Sequence, residues 1–187
     1  MVRNLCGTAL LLVSSVVFAD TPLAIAAKNG DLDEVRQLMA GGAQVNAVDP
    51  EDLWERTALM QAARMGHTSV VEFLLSQGAD VKQQGDGTGA SPLREAAYKG
   101  HLGVVKALLA AGAAPDVDAD ANGRTPLLWA LIGKQPEAPA IVAALLKAGA
   151  NSQQVFEGFD GTKVPAAQLA EKAGPEVEAA FRANAGI

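Results

Sequence analysis

Two histidines are the residues best suited to acid–base or metal chemistry. His67 and His101 each follow a glycine, and imidazole is both a frequent general base and a frequent metal ligand. Neither has a Cys, Asp or Glu at the spacing of a metal site, and both occupy the same Gly-His position in two similar segments. This recurrence predicts that both rings are hydrogen-bonded structural groups and that neither is catalytic.

An acidic segment is the other candidate for cation chemistry. Carboxylates alternate in Asp116–Asp120, as in an EF-hand loop, but that loop also requires Gly at its sixth position and Glu at its twelfth. Counted from Asp116, those positions hold Ala121 and Leu127. The chain also lacks a P-loop, a G-x-S-x-G motif and a cysteine nucleophile. We therefore predict a solvated loop here, no cofactor and no enzyme, with an unrecognised catalytic site as the less favoured alternative.

The first nineteen residues have the pattern of an export signal. Arg3 precedes an apolar stretch, residues 9–18, and Ala19 ends a small-residue cleavage site. The apolar stretch is interrupted by Ser14–Ser15 and is shorter than the roughly 20 residues that span a membrane. We predict a cleaved signal peptide, residues 1–19, and a periplasmic protein without stable membrane insertion. A retained membrane anchor is the alternative.

Composition favours a single acidic folded domain. Of 187 residues, 49% are apolar and 19% are charged, with a formal net charge of −6, whereas binding to a phosphate backbone needs clustered Lys and Arg. Nucleic acid is therefore not expected as a partner. Removal of residues 1–19 deletes one positive charge, Arg3. The mature chain then has 14 positive and 21 negative residues, and its formal net charge is −7. Cys6 is lost with the same segment, so no disulfide can form.

Four segments of similar sequence recur along the chain, with starts 36, 34 and 34 residues apart. Each is followed by a break at glycine, an apolar stretch and a second Gly-Ala landmark. The segments are Thr21–Ala27, Thr57–Ala63, Ser91–Ala97 and Thr125–Leu131. A weaker fifth copy starts at Val164. A fixed period of this length indicates stacked structural repeats.

Each repeated unit carries the signals of two helices. The unit opens with a Thr or Ser able to cap a helix, often followed by Pro, and its first helix is predicted to end at Gly30, Gly66 or Gly100. The following stretch places branched apolar side chains at helical spacing, as in Val70 and Leu74. Two short helices per unit are therefore expected, with the second packed against its neighbours.

These motifs resemble the ankyrin repeat, whose period and T-P-L-H-x-A signature they approach. The resemblance covers nearly the whole mature chain and implies an all-α solenoid of helix–turn–helix units with short β-hairpin fingers. The departures are the missing histidine of the signature, three extra residues between the helices of the fourth unit, and Val164 in place of Thr. The predicted domain spans residues 20–187, with units at 21–56, 57–90, 91–124, 125–163 and 164–187.

The ends of the stack are predicted from where the buried face becomes polar. Glu34 occupies the slot of Val70, and Glu178 occupies that of Val71. Because a terminal unit has a neighbour on one side only, polar residues on opposite sides predict five units with both terminal units present.

Stacked repeats present a concave surface built from first helices and fingers, and the resemblance implies that this surface binds another protein. The fifth position of each segment mixes residue types, which is not expected of a buried column, so we predict that the column faces the groove. The column is Ile25, Gln61, Glu95, Trp129 and Gln168. Predicted neighbours on the first helices are Arg64, Met65, Tyr98 and Lys99.

Each tryptophan has two interpretations. Trp54 lies in a finger two residues longer than its successors, where an exposed indole would anchor a partner, and the alternative is that it packs this finger onto the first unit. Trp129 either lines the groove or fills space beneath the enlarged fourth unit. The predicted partner-binding residues are Trp54, Gln61, Arg64, Met65, Glu95, Tyr98, Lys99 and Trp129.

The function expected from these features is recognition. We predict a monomeric periplasmic protein that protects, assists or inhibits another protein, as the helper of a periplasmic enzyme or as the antagonist of an effector. A self-associating structural protein of the envelope is the alternative.

Overall fold

The computed structural model describes residues 21–48, 52, 55–85, 91–116, 123–157 and 161–186. The predicted signal peptide, residues 1–19, lies outside the described residues. Trp54 also lies outside them, as does most of the acidic segment Asp116–Asp120. The interpretations of these segments therefore stay predictions.

Helices occur in consecutive pairs, as the repeated segments predict. The first helix of each pair is odd-numbered and the second is even-numbered. Within the described residues these helices are α1 (Pro22–Asn29), α2 (Leu32–Ala40), α3 (Ala58–Met65), α4 (Thr68–Ser76), α5 (Pro92–Lys99), α6 (Leu102–Ala110), α7 (Pro126–Ile132), α8 (Ala138–Lys147), α9 (Ala166–Ala173) and α10 (Pro175–Asn184).

A two-stranded antiparallel sheet lies between α8 and α9. Strand β1 (Val155–Glu157) pairs with β2 (Lys163–Pro165), with Phe156 opposite Val164. A single bridge, Val48 to Thr57, marks the corresponding connection between α2 and α3. These pairings agree with the predicted hairpin fingers.

The helix boundaries follow from capping and from glycine. The hydroxyl of Thr57 accepts the backbone N–H of Met60 at 3.3 Å, and that of Ser91 accepts the N–H of Arg94 at 3.1 Å, which satisfies a donor that the first helical turn leaves open. At the other end, Gly66 has a φ of +82°, in the left-handed region that glycine adopts without steric cost. The first helices therefore end where the sequence predicts.

The helices stack in two layers. The odd-numbered helices, hereafter the inner helices, contact one another in the order α1, α3, α5, α7, α9, and the even-numbered outer helices do the same from α2 to α10. The core lies between the layers, where Val71, Leu108 and Leu145 are fully buried. Each such side chain contributes roughly 1.5–3 kcal/mol relative to exposure. This all-α repeat solenoid confirms the predicted fold class.

Both histidines join neighbouring units by hydrogen bonds, as predicted. His67 Nε2 lies 3.0 Å from the carbonyl oxygen of Lys28, and His101 Nε2 lies 3.0 Å from that of Arg64. Because a carbonyl only accepts, the ring nitrogen is the donor in each case. In the next unit Gln135 lies against Gly100 as the histidines lie against the preceding glycines. The residue at the position of His67 and His101 therefore contacts the glycine turn that ends the inner helix of the preceding unit.

Polar side chains also join the units on the finger side. The side-chain oxygen of Asn46 accepts the backbone N–H of Asp80 at 2.8 Å, and the carboxylate of Asp116 accepts that of Asn151 at 2.9 and 3.1 Å. Asp116 is half-buried. This residue, which opens the acidic segment, therefore orders the junction between the third and fourth units.

Ser91→Ala tests the contribution of helix capping. We expect it to lower the free energy of unfolding by about 1 kcal/mol, because the N–H of Arg94 loses its acceptor. Thr21→Ala is the control, since Thr21 holds the same position but makes no capping hydrogen bond, and a change below about 0.5 kcal/mol is expected. Urea denaturation followed by circular dichroism measures both. Equal losses in the two variants would contradict the capping role.

Candidate functional site

The last turns of the inner helices present a row of exposed or half-buried side chains. Lys28, Arg64 and Tyr98 follow paired alanines, Ile132 follows Ala130–Leu131, and Met65 and Lys99 occupy the next position in two of the units. The exposed fractions of Met65, Tyr98 and Ile132 are 46%, 39% and 42%. We call these residues the inner-helix surface: Lys28, Arg64, Met65, Tyr98, Lys99 and Ile132.

Four predicted site residues belong to this surface, namely Arg64, Met65, Tyr98 and Lys99. Lys28 and Ile132 lie outside the predicted set, although they occupy the same slot of the repeated segment as Arg64 and Tyr98. Comparison of that slot across all units would have found them. Residues at the same position of successive repeated segments therefore lie side by side on the inner-helix surface.

The prediction that the fifth-position column is exposed is wrong at two of its members. Gln61 and Glu95 are 6% and 4% exposed, whereas Ile25 and Gln168 are exposed and Trp129 is half-buried. Mixed residue types do not exclude burial when each polar group has a partner. Gln61 and Glu95 have such partners in the fingers and in neighbouring helices, so they support the surface from below.

Glu95 accepts contacts from arginines of three different positions. Its carboxylate lies 2.7 Å from Arg64 Nη1, 3.4 Å from Arg94 Nη2 and 3.8 Å from Arg56 Nη2. Arg64 belongs to α3 and is one-third exposed at its side chain, whereas the other two side chains are nearly buried. Because buried charges are stable only when they are paired, the carboxylate fixes where the guanidinium groups lie.

A second carboxylate extends this arrangement into the finger. Arg56 Nη1 donates to both oxygens of Asp52 at 3.0 and 3.1 Å, and Gln61 Nε2 donates to the same carboxylate at 2.6 Å. These contacts tie the finger before α3 to the inner helices. We call the whole set the Glu95 cluster: Asp52, Arg56, Gln61, Arg64, Arg94 and Glu95.

Aromatic rings continue the arrangement toward α7. The rings of Tyr98 and Trp129 meet edge to face with centroids 5.3 Å apart, the guanidinium of Arg94 lies 5.7 Å from the Trp129 ring, and the ammonium of Lys99 lies 5.2 Å from the Tyr98 ring. Contacts of this type stabilise by about 0.5–1.5 kcal/mol. The position of Tyr98 at the surface is therefore fixed from several sides.

Trp129 combines these ring contacts with an unpaired polar group. Its indole N–H is buried and has no acceptor among the described residues, and an unsatisfied buried donor costs about 1–3 kcal/mol. Its role in binding a partner stays a prediction.

The accessible charges of the first three inner helices are all positive. Lys28, Arg64 and Lys99 lie on α1, α3 and α5, where the remaining charged residues, Arg94 and Glu95, are buried, and α7 carries no charged residue. The whole chain carries a formal net charge of −6. The inner-helix surface therefore differs in sign from the protein as a whole.

In the described part of the chain, no group of three or more His, Cys, Asp or Glu side chains is placed to hold a metal ion. No helix there has the length and apolarity needed to span a membrane.

Comparison with known families identifies the repeats. A family model described as ankyrin repeats (three copies) matches residues 1–85 and 79–155. The chain belongs to the ankyrin-repeat family. Ankyrin repeats form protein–protein interaction modules, and the fold is typically non-enzymatic.

Curated ankyrin-repeat relatives match about one third of the chain. The BRCA1-associated RING domain protein 1 of Caenorhabditis elegans is 42% identical over 62 residues, 33% of this chain and 8% of the relative. The 2-5A-dependent ribonuclease of Mus musculus is 42% identical over 66 residues, which are 35% of this chain and 9% of the relative. The ankyrin repeat and SAM domain-containing protein 6 of Rattus norvegicus is 46% identical over 61 residues, which are 33% of this chain and 7% of the relative. The chain thus spans less than a tenth of each relative.

Proposed function

We propose that this ankyrin-repeat protein is exported to the periplasm, where it protects, assists or inhibits a partner protein bound to its inner-helix surface. The observation that carries this proposal is the row of large side chains, exposed or half-buried, on successive inner helices, in which Arg64 is held in place by Glu95. Large apolar side chains that remain exposed, rimmed by charge, are typical of protein contact sites. The partner is either a periplasmic enzyme that needs a helper or an effector that is neutralised.

The ribonuclease named among the relatives offers no reason to propose catalysis. The match covers 9% of that protein, and the two histidines of this chain donate hydrogen bonds to backbone carbonyls of the preceding unit. We therefore propose a binding function without an enzymatic step and without a cofactor.

Export is supported by the charged, apolar and small-residue order of residues 1–19. We expect the protein from a periplasmic fraction to begin at Asp20 and to behave as a monomer. Mass spectrometry of the intact protein and size-exclusion chromatography measure these properties. A chain that begins at Met1 and sediments with membranes would support the anchored alternative, and concentration-dependent oligomers would support self-association.

Partner capture tests the proposed surface. The mature chain, residues 20–187, is used as bait in periplasmic and envelope extract beside a Met65→Asp, Ile132→Asp variant. Both residues are exposed, so the variant is expected to fold. Introduction of charge into an apolar contact is expected to weaken retention of a specific partner at least about tenfold, equal to about 1.4 kcal/mol.

The matched control places the same two charges on the outer helices. Ala110→Asp, Ala140→Asp changes exposed residues of α6 and α8, and this variant is expected to retain the partner as the unmodified chain does. Equal retention by both variants would place the binding site elsewhere. Failure to retain any specific partner would contradict the binding function itself.

A further inference from the structure

We propose that the inner-helix surface recognises an extended acidic segment that carries a large apolar side chain at one end. This inference rests on the proposed function and specifies the chemistry of the partner. It follows from the division of the surface into a cationic half, with Lys28, Arg64 and Lys99 on α1, α3 and α5, and an apolar half, on α5 and α7. The exposed apolar side chain of Met65 lies next to Arg64 in the cationic half.

The cationic half places one cation on each of three successive inner helices, with Lys99 one position beyond the slot that Lys28 and Arg64 share. Lys28, Arg64 and Lys99 lie near the ends of three successive inner helices, and packed helices are about 8–10 Å apart. An extended chain advances about 3.3 Å per residue, so this interval corresponds to roughly three residues. Carboxylates at about every third position of an extended segment would therefore face one cation each.

Arg64 is positioned for a carboxylate from outside. Its Nη1 donates to Glu95 at 2.7 Å, while one third of its side chain remains exposed. A guanidinium has five N–H donors, and Glu95 is the acceptor of Arg64 in the described part of the chain. Because the buried carboxylate already fixes the side chain, binding costs less side-chain entropy than it would at a free arginine.

The apolar half gives the segment a direction. Tyr98 and Ile132 are exposed at the same slot of α5 and α7, and α7 contains no charged residue. A Leu, Ile, Phe or Trp side chain placed beyond the carboxylates would cover these two residues, as interface anchors do. The acidic part of the segment thus lies toward α1 and the apolar part toward α7.

Charge separates this occupant from the alternatives. A basic segment would be repelled by Lys28, Arg64 and Lys99 at close range. Nucleic acid would meet the same cations but also the net charge of −6 carried by the whole chain. An acidic protein segment with one large apolar residue is the occupant that matches both halves of the surface.

The first experiment is selection of random displayed peptides on the mature chain. Enriched peptides are expected to contain two or more Asp or Glu followed or preceded by a large apolar residue. The enriched sequence is then synthesised with a fluorescent label, beside a version in which Asp and Glu become Asn and Gln. Loss of the carboxylates is expected to weaken binding at least about tenfold in fluorescence anisotropy, and added salt is expected to weaken binding of the acidic peptide only.

The protein variants are matched in charge. Lys28→Glu, Lys99→Glu reverses two cations of the surface and leaves the Glu95 cluster unchanged. This variant is expected to bind the acidic peptide with an affinity at least about tenfold lower. Lys106→Glu, Lys147→Glu reverses two exposed lysines of the outer helices and is expected to change affinity less than about twofold. Circular dichroism melting curves establish that both variants are folded.

The outcomes separate this inference from the proposed function. Enrichment of basic or purely apolar peptides would overturn it, as would equal weakening by the two charge-reversed variants. A partner that is lost by Met65→Asp, Ile132→Asp but retained by Lys28→Glu, Lys99→Glu would leave the binding function in place and reject the acidic segment. The chain could also form oligomers that disappear in the Lys28→Glu, Lys99→Glu variant. That result would mean that the surface binds a second copy of the chain, and it would reject a separate acidic partner.

Discussion

Glu95→Ala is expected to lower the free energy of unfolding by about 3–5 kcal/mol. Glu95 is 4% exposed, and its carboxylate lies within reach of Arg56, Arg64 and Arg94. Its removal leaves positive groups of low exposure close to one another without the negative charge between them, and an uncompensated buried charge is among the most destabilising changes known in protein interiors. For a domain of this size, the midpoint of thermal unfolding should fall by about 6–20 °C.

The control for this substitution is Glu72→Ala. Glu72 is an exposed residue of α4, where the same change is expected to alter the free energy of unfolding by less than about 0.5 kcal/mol. Urea and thermal denaturation measure both variants. Similar losses in the two would show that the Glu95 cluster contributes little and that its arginines are stable without the carboxylate.

A double-mutant cycle measures how strongly Glu95 is coupled to the surface. Arg64→Ala alone should cost less than Glu95→Ala, because the Arg64 side chain is one-third exposed. If the ion pair matters, the double variant will lose less stability than the sum of the two single variants, by about 0.5–3 kcal/mol. Additive losses would mean that Glu95 does not position Arg64, and would weaken the inference about an incoming carboxylate.

The positions of the helices and of the histidines could be predicted because they repeat. One slot of the repeated segment sets one local structure, so His67 and His101 have the same hydrogen bond in successive units. Ile132 could have been found in the same way, from its agreement with the slot of Tyr98. Features that recur with the period are accessible from the sequence.

The burial of Gln61 and Glu95 could not be predicted on that basis. It depends on pairs of side chains that do not recur together: Glu95 pairs with Arg64 at a separation of 31 residues, and Gln61 donates to Asp52. No other unit has an Arg at the slot of Arg64, and the equivalents of Asp52, which are Asp86 and Asp120, precede segments that lack Gln at the slot of Gln61. Periodicity therefore identifies the surface, whereas the network beneath it requires the three-dimensional arrangement.

The network and the surface are connected through the turns that end the inner helices. Arg64 lies directly before the turn at Gly66 together with Met65, and its carbonyl accepts the hydrogen bond from His101 of the next unit. Its side chain is held by Glu95. The presentation of Arg64 to a partner thus depends on both contacts, one on its backbone and one on its guanidinium.

Gly66→Ala is expected to lower the free energy of unfolding by about 2–5 kcal/mol. The φ of +82° at Gly66 costs a residue with a Cβ about 1–2 kcal/mol. In addition, a Cβ at this position would lie 2.6 Å from His101 Nδ1, and overpacking of this kind costs about 1–3 kcal/mol. Urea denaturation of the purified variant measures the sum of the two effects.

Gly78→Ala separates these effects, because Gly78 has nearly the same φ, +85°, but nothing lies within 4 Å of the position of its Cβ. We expect a loss of about 1–2 kcal/mol there, from backbone strain alone. In Gly66→Ala, His101→Ala the steric conflict is absent, so the double variant should be more stable than the sum of the single losses predicts.

Affinity for the acidic peptide should fall in Gly66→Ala but not in Gly78→Ala when both are fully folded, since only the first displaces the ring that holds the Arg64 carbonyl. Equal losses of stability in the two glycine variants would mean that His101 moves aside without cost, and the histidine contact would then not fix the surface.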